Sequence, residues 1–123
     1  MKIIINNSSM EPIYEQLMDQ IKALIINGEL KENDILPSVR SLSKELKISA
    51  LTVKKAYDSL EEEGFSVTVH GKGTYVAASN PELMMEEHRK EVEAEFEKAI
   101  QKGRRCGMSK QEIKDIFDLI WEE

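Results

Sequence analysis

Two short apolar stripes at helical spacing, only a few residues apart, constrain this chain more than any other feature. Val39, Leu42 and Leu46 recur at three and four residues and so share one helix face. Val53, Ala56, Tyr57 and Leu60 repeat the pattern on a second helix starting near Ser49, with Ile48 between the stripes to pin the turn. Ser38, following Pro37, can cap the first helix. Gly64 ends the second, where a left-handed residue costs little if it is glycine. The pair reads as a helix-turn-helix.

A hairpin follows at once. Phe65, Val67 and Val69 alternate with polar residues, and Tyr75 and Val76 resume after the turn His70-Gly71-Lys72-Gly73. The glycines let backbone approach a phosphate closely, and Lys72 supplies a cation beside it. The predicted fold is therefore mainly α with a small β-wing: a winged helix-turn-helix, whose second helix enters the DNA major groove.

Charge supports that destination. Residues 38–56 carry five basic side chains (Arg40, Lys44, Lys47, Lys54 and Lys55) and one acidic one, Glu45, inside a chain of net charge −6. A basic island in an acidic protein is a better nucleic-acid signal than overall charge. The outward positions of the two helices are Arg40, Lys44, Lys47, Ser49, Leu51, Thr52, Lys54 and Lys55. Ser38 can cap its helix and touch a phosphate together.

The run from PIYEQ at residues 12–16 to GKGTYV at residues 71–76 resembles the DNA-binding domain of GntR-family bacterial transcription regulators. The intervening pieces are IINGEL at 25–30, LPSVR at 36–40 and TVKKAYDSLEEEG at 52–64. The resemblance covers about two-thirds of the chain, with several motifs in register. It implies operator contact by Arg40, by Ser49, Ala50, Leu51, Thr52 and Lys54 at the start of the recognition helix, and by His70 and Gly71 in the wing. Many members carry polar residues where this chain has Ala50 and Leu51. Apolar contact with a thymine methyl is the natural substitute there.

The remaining segments fall around this head. Residues 12–27 predict a first helix with Ile13, Leu17, Ile21, Leu24 and Ile25 inward, packed behind the reading pair. Residues 1–7 read as an edge strand, too short for a secretory signal. Residues 34–36 read as a short extended piece before Pro37. Ser79-Asn80-Pro81 marks a boundary, dividing the chain into residues 1–79, the DNA-binding domain, and 80–123.

Beyond it, Met85, His88, Val92, Phe96, Ala99 and Gly103 follow one face of a long amphipathic helix. Ser109 and Glu112 have capping-box spacing at the start of another, striped by Ile113, Ile116, Phe117, Ile120 and Trp121. Two helices cannot bury two such stripes alone, so a second copy is expected: a homodimer reading an inverted-repeat operator. Met85, His88, Val92, Phe96, Ile113, Ile116, Phe117, Ile120 and Trp121 are the candidate interface residues. The bend at residues 103–109 resembles the short C-terminal domain of the YtrA-type subfamily, which lacks the large ligand-binding domain of other members. About forty residues leave little room for an enclosed pocket, though an effector groove between subunits fits. This part carries net charge −4 and is expected to face away from DNA.

No zinc-ligand spacing, nucleotide loop or paired nucleophile occurs, so neither enzyme activity, cofactor nor metal is expected. One cysteine, Cys106, excludes an internal disulfide and fits a reducing cytoplasm, and no apolar run reaches membrane-spanning length. The expected function is a sequence-specific DNA-binding regulator acting as a repressor. The competing reading is a winged-helix scaffold that binds protein and not DNA, kept alive by the net charge and by Ala50-Leu51.

Overall fold

The computed structural model describes residues 1–122, which fall into two compact units, Met1–Asn80 and Pro81–Glu123 with its last residue outside the description. In the first unit the order is α1 (Ile13–Ile26), α2 (Val39–Leu46), α3 (Ala50–Glu62), β1 (Ser66–Val69) and β2 (Gly73–Val76). Helix α3 is the hub, packed against α1, α2 and β1. Leu17 and Ile21 of α1, Leu42 of α2, and Val53, Ala56, Tyr57 and Leu60 of α3 form its core with Leu36, Phe65 and Val76. Burying each large aliphatic side chain contributes about 1.5–3 kcal/mol.

The boundaries follow local chemistry. The Ser38 hydroxyl accepts the Ser41 amide at 3.0 Å and starts α2. Lys47 ends it in the left-handed region, φ +56°. Ser49 accepts the Leu51 amide at 3.1 Å and starts α3. Gly64, φ +90°, turns the chain out of α3, and the Phe65 amide returns to the Leu60 carbonyl at 2.8 Å.

Strands β1 and β2 pair antiparallel, with Ser66 opposite Val76 and Val69 opposite Gly73. The extended piece before Pro37 joins them: Ile35 bridges Tyr75, and the Leu36 amide donates to the Thr74 carbonyl at 2.8 Å. The alternation of Phe65, Val67 and Val69 does not mark a buried face. Phe65 and Ser66 are buried, whereas Val67 and Val69 are exposed. The helix core covers only the root of the hairpin, so beyond Ser66 both faces meet solvent.

The expected edge strand at residues 1–7 does not form. Two glutamine side chains of α1 take the place of a neighbouring strand. Gln20 accepts the Ile4 amide at 2.8 Å and donates to the Ile4 carbonyl at 2.7 Å. Gln16 does the same for Asn6, at 2.9 and 3.0 Å. A primary amide presents the donor–acceptor pair of a peptide group. The segment is therefore held to α1 at Ile4 and Asn6 without a sheet.

The second unit is a helix pair, α4 (Pro81–Arg105) and α5 (Lys110–Trp121). Ser109 and Glu112 form the expected capping box: the Ser109 hydroxyl accepts the Glu112 amide at 3.1 Å and the Glu112 carboxylate accepts the Ser109 amide at 3.0 Å. Phe96 meets Phe117 at a centroid distance of 6.0 Å, and Phe117 stacks on Trp121 at 5.9 Å. Of the predicted stripes, Met85, Val92, Phe96, Ile116, Phe117, Ile120 and Trp121 remain between 44% and 78% exposed. Ile100 and Leu119, outside the predicted set, extend the same exposure. No residue of α5 is buried. Ile113 differs from its stripe: it is half-buried, with its side chain against Gly103. His88 is exposed and 3.8 Å from Glu91.

Candidate nucleic-acid interface

Helix α3 separates its residues by role. Val53, Ala56, Tyr57 and Leu60 are spent on the core, which leaves Ala50, Leu51, Lys54 and Lys55 exposed and Thr52 half-buried. Leu51, in the first turn, is 79% exposed. A large aliphatic side chain so placed contributes little to this unit's packing. The adjoining α2 exposes Arg40 and Lys44, and the turn exposes Lys47. The Ile48 amide donates to the Ser43 carbonyl at 3.1 Å and closes that turn.

Tyr57 fixes the two helices to each other. Its hydroxyl, from inside α3, donates to the Pro37 carbonyl at 2.7 Å, next to the cap of α2. Burial pushes the phenol well above its ordinary value, so the hydroxyl stays a donor.

The cations are held differently. Arg40, Lys44, Lys47 and Lys72 make no ion pair among the described residues. Lys54 reaches Asp58 at 2.8 Å on the exposed face. An exposed i,i+4 pair contributes only about 0.3–0.5 kcal/mol, so a phosphate can displace it. Lys55 turns toward α1 and stands 3.9 Å over the Tyr14 ring. Tyr14 itself donates to Glu15 at 3.2 Å, and that bond with the carboxylate's charge raises its pKa. Lys55 thus belongs to the α1–α3 contact as well as to the basic surface. The hydroxyls of Ser38 and Ser49 are engaged as caps, with an acceptor lone pair left on each.

The wing tip places His70, Gly71 and Lys72 in solvent. The Lys72 amide donates to the Val69 carbonyl at 2.9 Å and closes the turn. Gly71 has φ +78° and open space around its Cβ position, so backbone conformation alone demands glycine. Gly73, φ +131°, also lies close to Ile35: a Cβ there would meet its Cδ1 at 3.3 Å. At the other end of the wing, the Thr68 amide donates to Glu61 of α3 at 3.2 Å.

One supporting residue escaped sequence reasoning. Lys22 of α1 is buried, bonded to Glu63 at 2.8 Å and 5.3 Å from the Phe65 ring. It ties α1 to the point where α3 gives way to the wing. Its spacing, four residues after Met18 and three before Ile25 on α1, was the available signal.

Three helices, a two-stranded wing and an unshielded basic turn define a winged helix-turn-helix of the nucleic-acid-binding kind. The pattern of the bacterial regulatory proteins of the gntR family matches residues 13–76, and the chain belongs to that family. It is 42% identical over 84 residues to the HTH-type transcriptional repressor YtrA of Bacillus subtilis, covering 68% of this chain and 65% of that protein. The chain thus spans just under two-thirds of that relative's length. Among solved structures it resembles YtrA from Sulfolobus acidocaldarius, a GntR-family transcription factor (38% identity, TM-score 0.59, 98% of this chain and 97% of that one). The DNA-binding domain of AraR, solved in complex with operator ORX1, is similar at 26% identity and TM-score 0.56, covering 63% of this chain and 96% of that one. GntR-family homologues bind DNA and repress transcription, and the family is one of regulators rather than enzymes. No described helix is long and apolar enough to cross a membrane.

Proposed function

We propose that this chain is a transcriptional repressor that binds an inverted-repeat operator as a homodimer. Residues 1–79 form the DNA-binding domain and 80–123 the dimerisation domain. The carrying observation is the division of α3 into a fully buried face and an exposed one headed by Leu51, beside the cations Arg40, Lys44 and Lys47, which have no ion pair among the described residues. In this reading the exposed face of α3 lies in the major groove. Arg40, Ser49, Thr52 and Lys54 contact backbone or base edges, and Ser38, Lys44 and Lys55 contribute to the phosphate field. Ala50 and Leu51 offer apolar surface to thymine methyl groups. His70, Gly71 and Lys72 approach a phosphate from the wing.

The exposed apolar faces of α4 and α5 support the dimer. Phe96, Phe117 and Trp121 form a contiguous exposed aromatic row with Ile120 exposed on the same helix, and in this reading a second copy covers it with the same patch. Two reading heads then engage half-sites about one DNA turn apart, or a multiple of it. Repression follows from occupancy of promoter DNA.

Binding to random duplex DNA across a salt series tests this reading against the scaffold alternative. A dimer contacting at least four phosphates loses affinity with a log–log slope of about −3.6 or steeper. Arg40→Ala should flatten that slope by about two, one phosphate per protomer. A scaffold shows no binding even at low salt.

A further inference from the structure

In the second unit, α4 and α5 approach closely at Gly103. A Cβ at that position would lie 3.0 Å from Ile113 Cδ1 and 3.5 Å from Met108 Sδ. Beside this contact opens a cleft of about 480 Å³. Its apolar lining is Ile100, Met108 and Ile113, and its polar lining is Arg104, Lys110 and Lys114. Among the described residues no carboxylate lines it.

That arrangement is out of keeping with its surroundings. The unit has twelve acidic and eight basic residues, yet three cations gather at one apolar cleft. None of the three has an ion-pair partner among the described residues. Three carboxylates of the same helices accept hydrogen bonds from other groups. Glu112 accepts the Ser109 amide, Asp115 accepts from Gln111 at 2.8 Å, and Glu97 from Gln101 at 3.3 Å. Lys110 also stands at the first position of α5, where the helix dipole adds to the positive potential.

We propose that this cleft binds a small amphipathic anion: an apolar body of about eight carbons with one carboxylate or phosphate head. The body would rest on Ile100, Met108 and Ile113, removing their apolar surface from water. The head would lie among Arg104, Lys110 and Lys114, which accept either head group by charge-assisted hydrogen bonds. The volume is within the usual range for small-molecule sites, about 300–1,000 Å³. The site does not depend on the DNA-binding reading, and its failure would leave that reading untouched.

Calorimetric titration of the full chain with octanoate, octyl phosphate, octanol and octylammonium tests the assignment. At least one of the two anions should saturate at one per chain, and octylammonium should bind at least tenfold more weakly. Which anion binds more tightly assigns the head group. The double variant Lys110→Glu/Lys114→Glu should lose at least tenfold in affinity for the tighter anion. Its helical circular dichroism should be retained, because the gain from an acidic residue at the first position of α5 offsets the like-charge spacing of residues 110, 114 and 118. Lys110→Arg/Lys114→Arg should restore binding. Equal binding of octanoate and octylammonium would overturn the proposal, as would an unchanged affinity in the double Glu variant. Absence of saturable binding by both anions would also overturn it.

Discussion

Removing one oxygen from Tyr57 tests how the reading helices are held. In Tyr57→Phe the ring keeps its place in the core, but the 2.7 Å bond to the Pro37 carbonyl is lost. A neutral hydrogen bond of this kind contributes about 1 kcal/mol net, and a buried acceptor left bare costs about 1–3 kcal/mol. Pro37 is half-buried, so water can reach its carbonyl in part and the cost falls near the lower end, about 1–1.5 kcal/mol. For a unit of this size each kcal/mol moves the melting temperature by about 4–8 °C. Thermal unfolding by circular dichroism should show a drop of about 4–12 °C. The same hydroxyl gives a pH signature. Its folded-state pKa is raised by burial, so its contribution is fully present below the unfolded value near 10 and is lost as pH rises toward the folded value. Wild-type stability should therefore fall above pH 10 by up to about 1.4 kcal/mol per pH unit, and the Phe variant should show a shallower fall. A melting temperature within about 1 °C of wild type, with the same alkaline profile in both proteins, would refute the role assigned to this bond.

Other elements give independent predictions. Lys47→Gly relieves a left-handed φ of +56° and should raise stability by about 0.5–1 kcal/mol in urea unfolding, despite the added freedom of the unfolded chain. Ser109→Ala removes the hydroxyl half of the α5 capping box and should cost about 1 kcal/mol, read as a lower urea midpoint at 222 nm. Phe117→Asp places a charge in the centre of the exposed aromatic row and should sediment as a monomer at concentrations where wild type is a dimer; an unchanged sedimentation coefficient would move the interface elsewhere.

The helices were legible because their signals are local. Ser38, Ser49 and Ser109 cap helices where their spacing places them, and the period of Val53, Ala56, Tyr57 and Leu60 matches their burial. What escaped depends on partners distant in the chain. The pairing of Ile35 with Tyr75 crosses forty residues, and nothing near Ile35 announces it. The N-terminal segment has the composition of a strand, but its backbone is taken up by Gln16 and Gln20 of α1, ten and sixteen residues away from their partners. Val67 and Val69 carry the alternation of a half-buried strand beyond the point where the core ends. At the interface, residue types and charge were legible. The engagement of Lys55 with Tyr14 was not, because it depends on how α1 packs against α3; the i,i+4 spacing of Lys54 and Asp58 was the available signal for their pair.

Genomic footprinting of the purified protein on DNA from its own source, with Arg40→Ala alongside, tests the central claim most directly. A dimeric repressor gives a small number of sharp sites, each an inverted repeat with half-sites about one helical turn apart or a multiple of it, and all lost or strongly weakened in the variant. No enriched site at low salt, or the same sites with the same strength in Arg40→Ala, would contradict it.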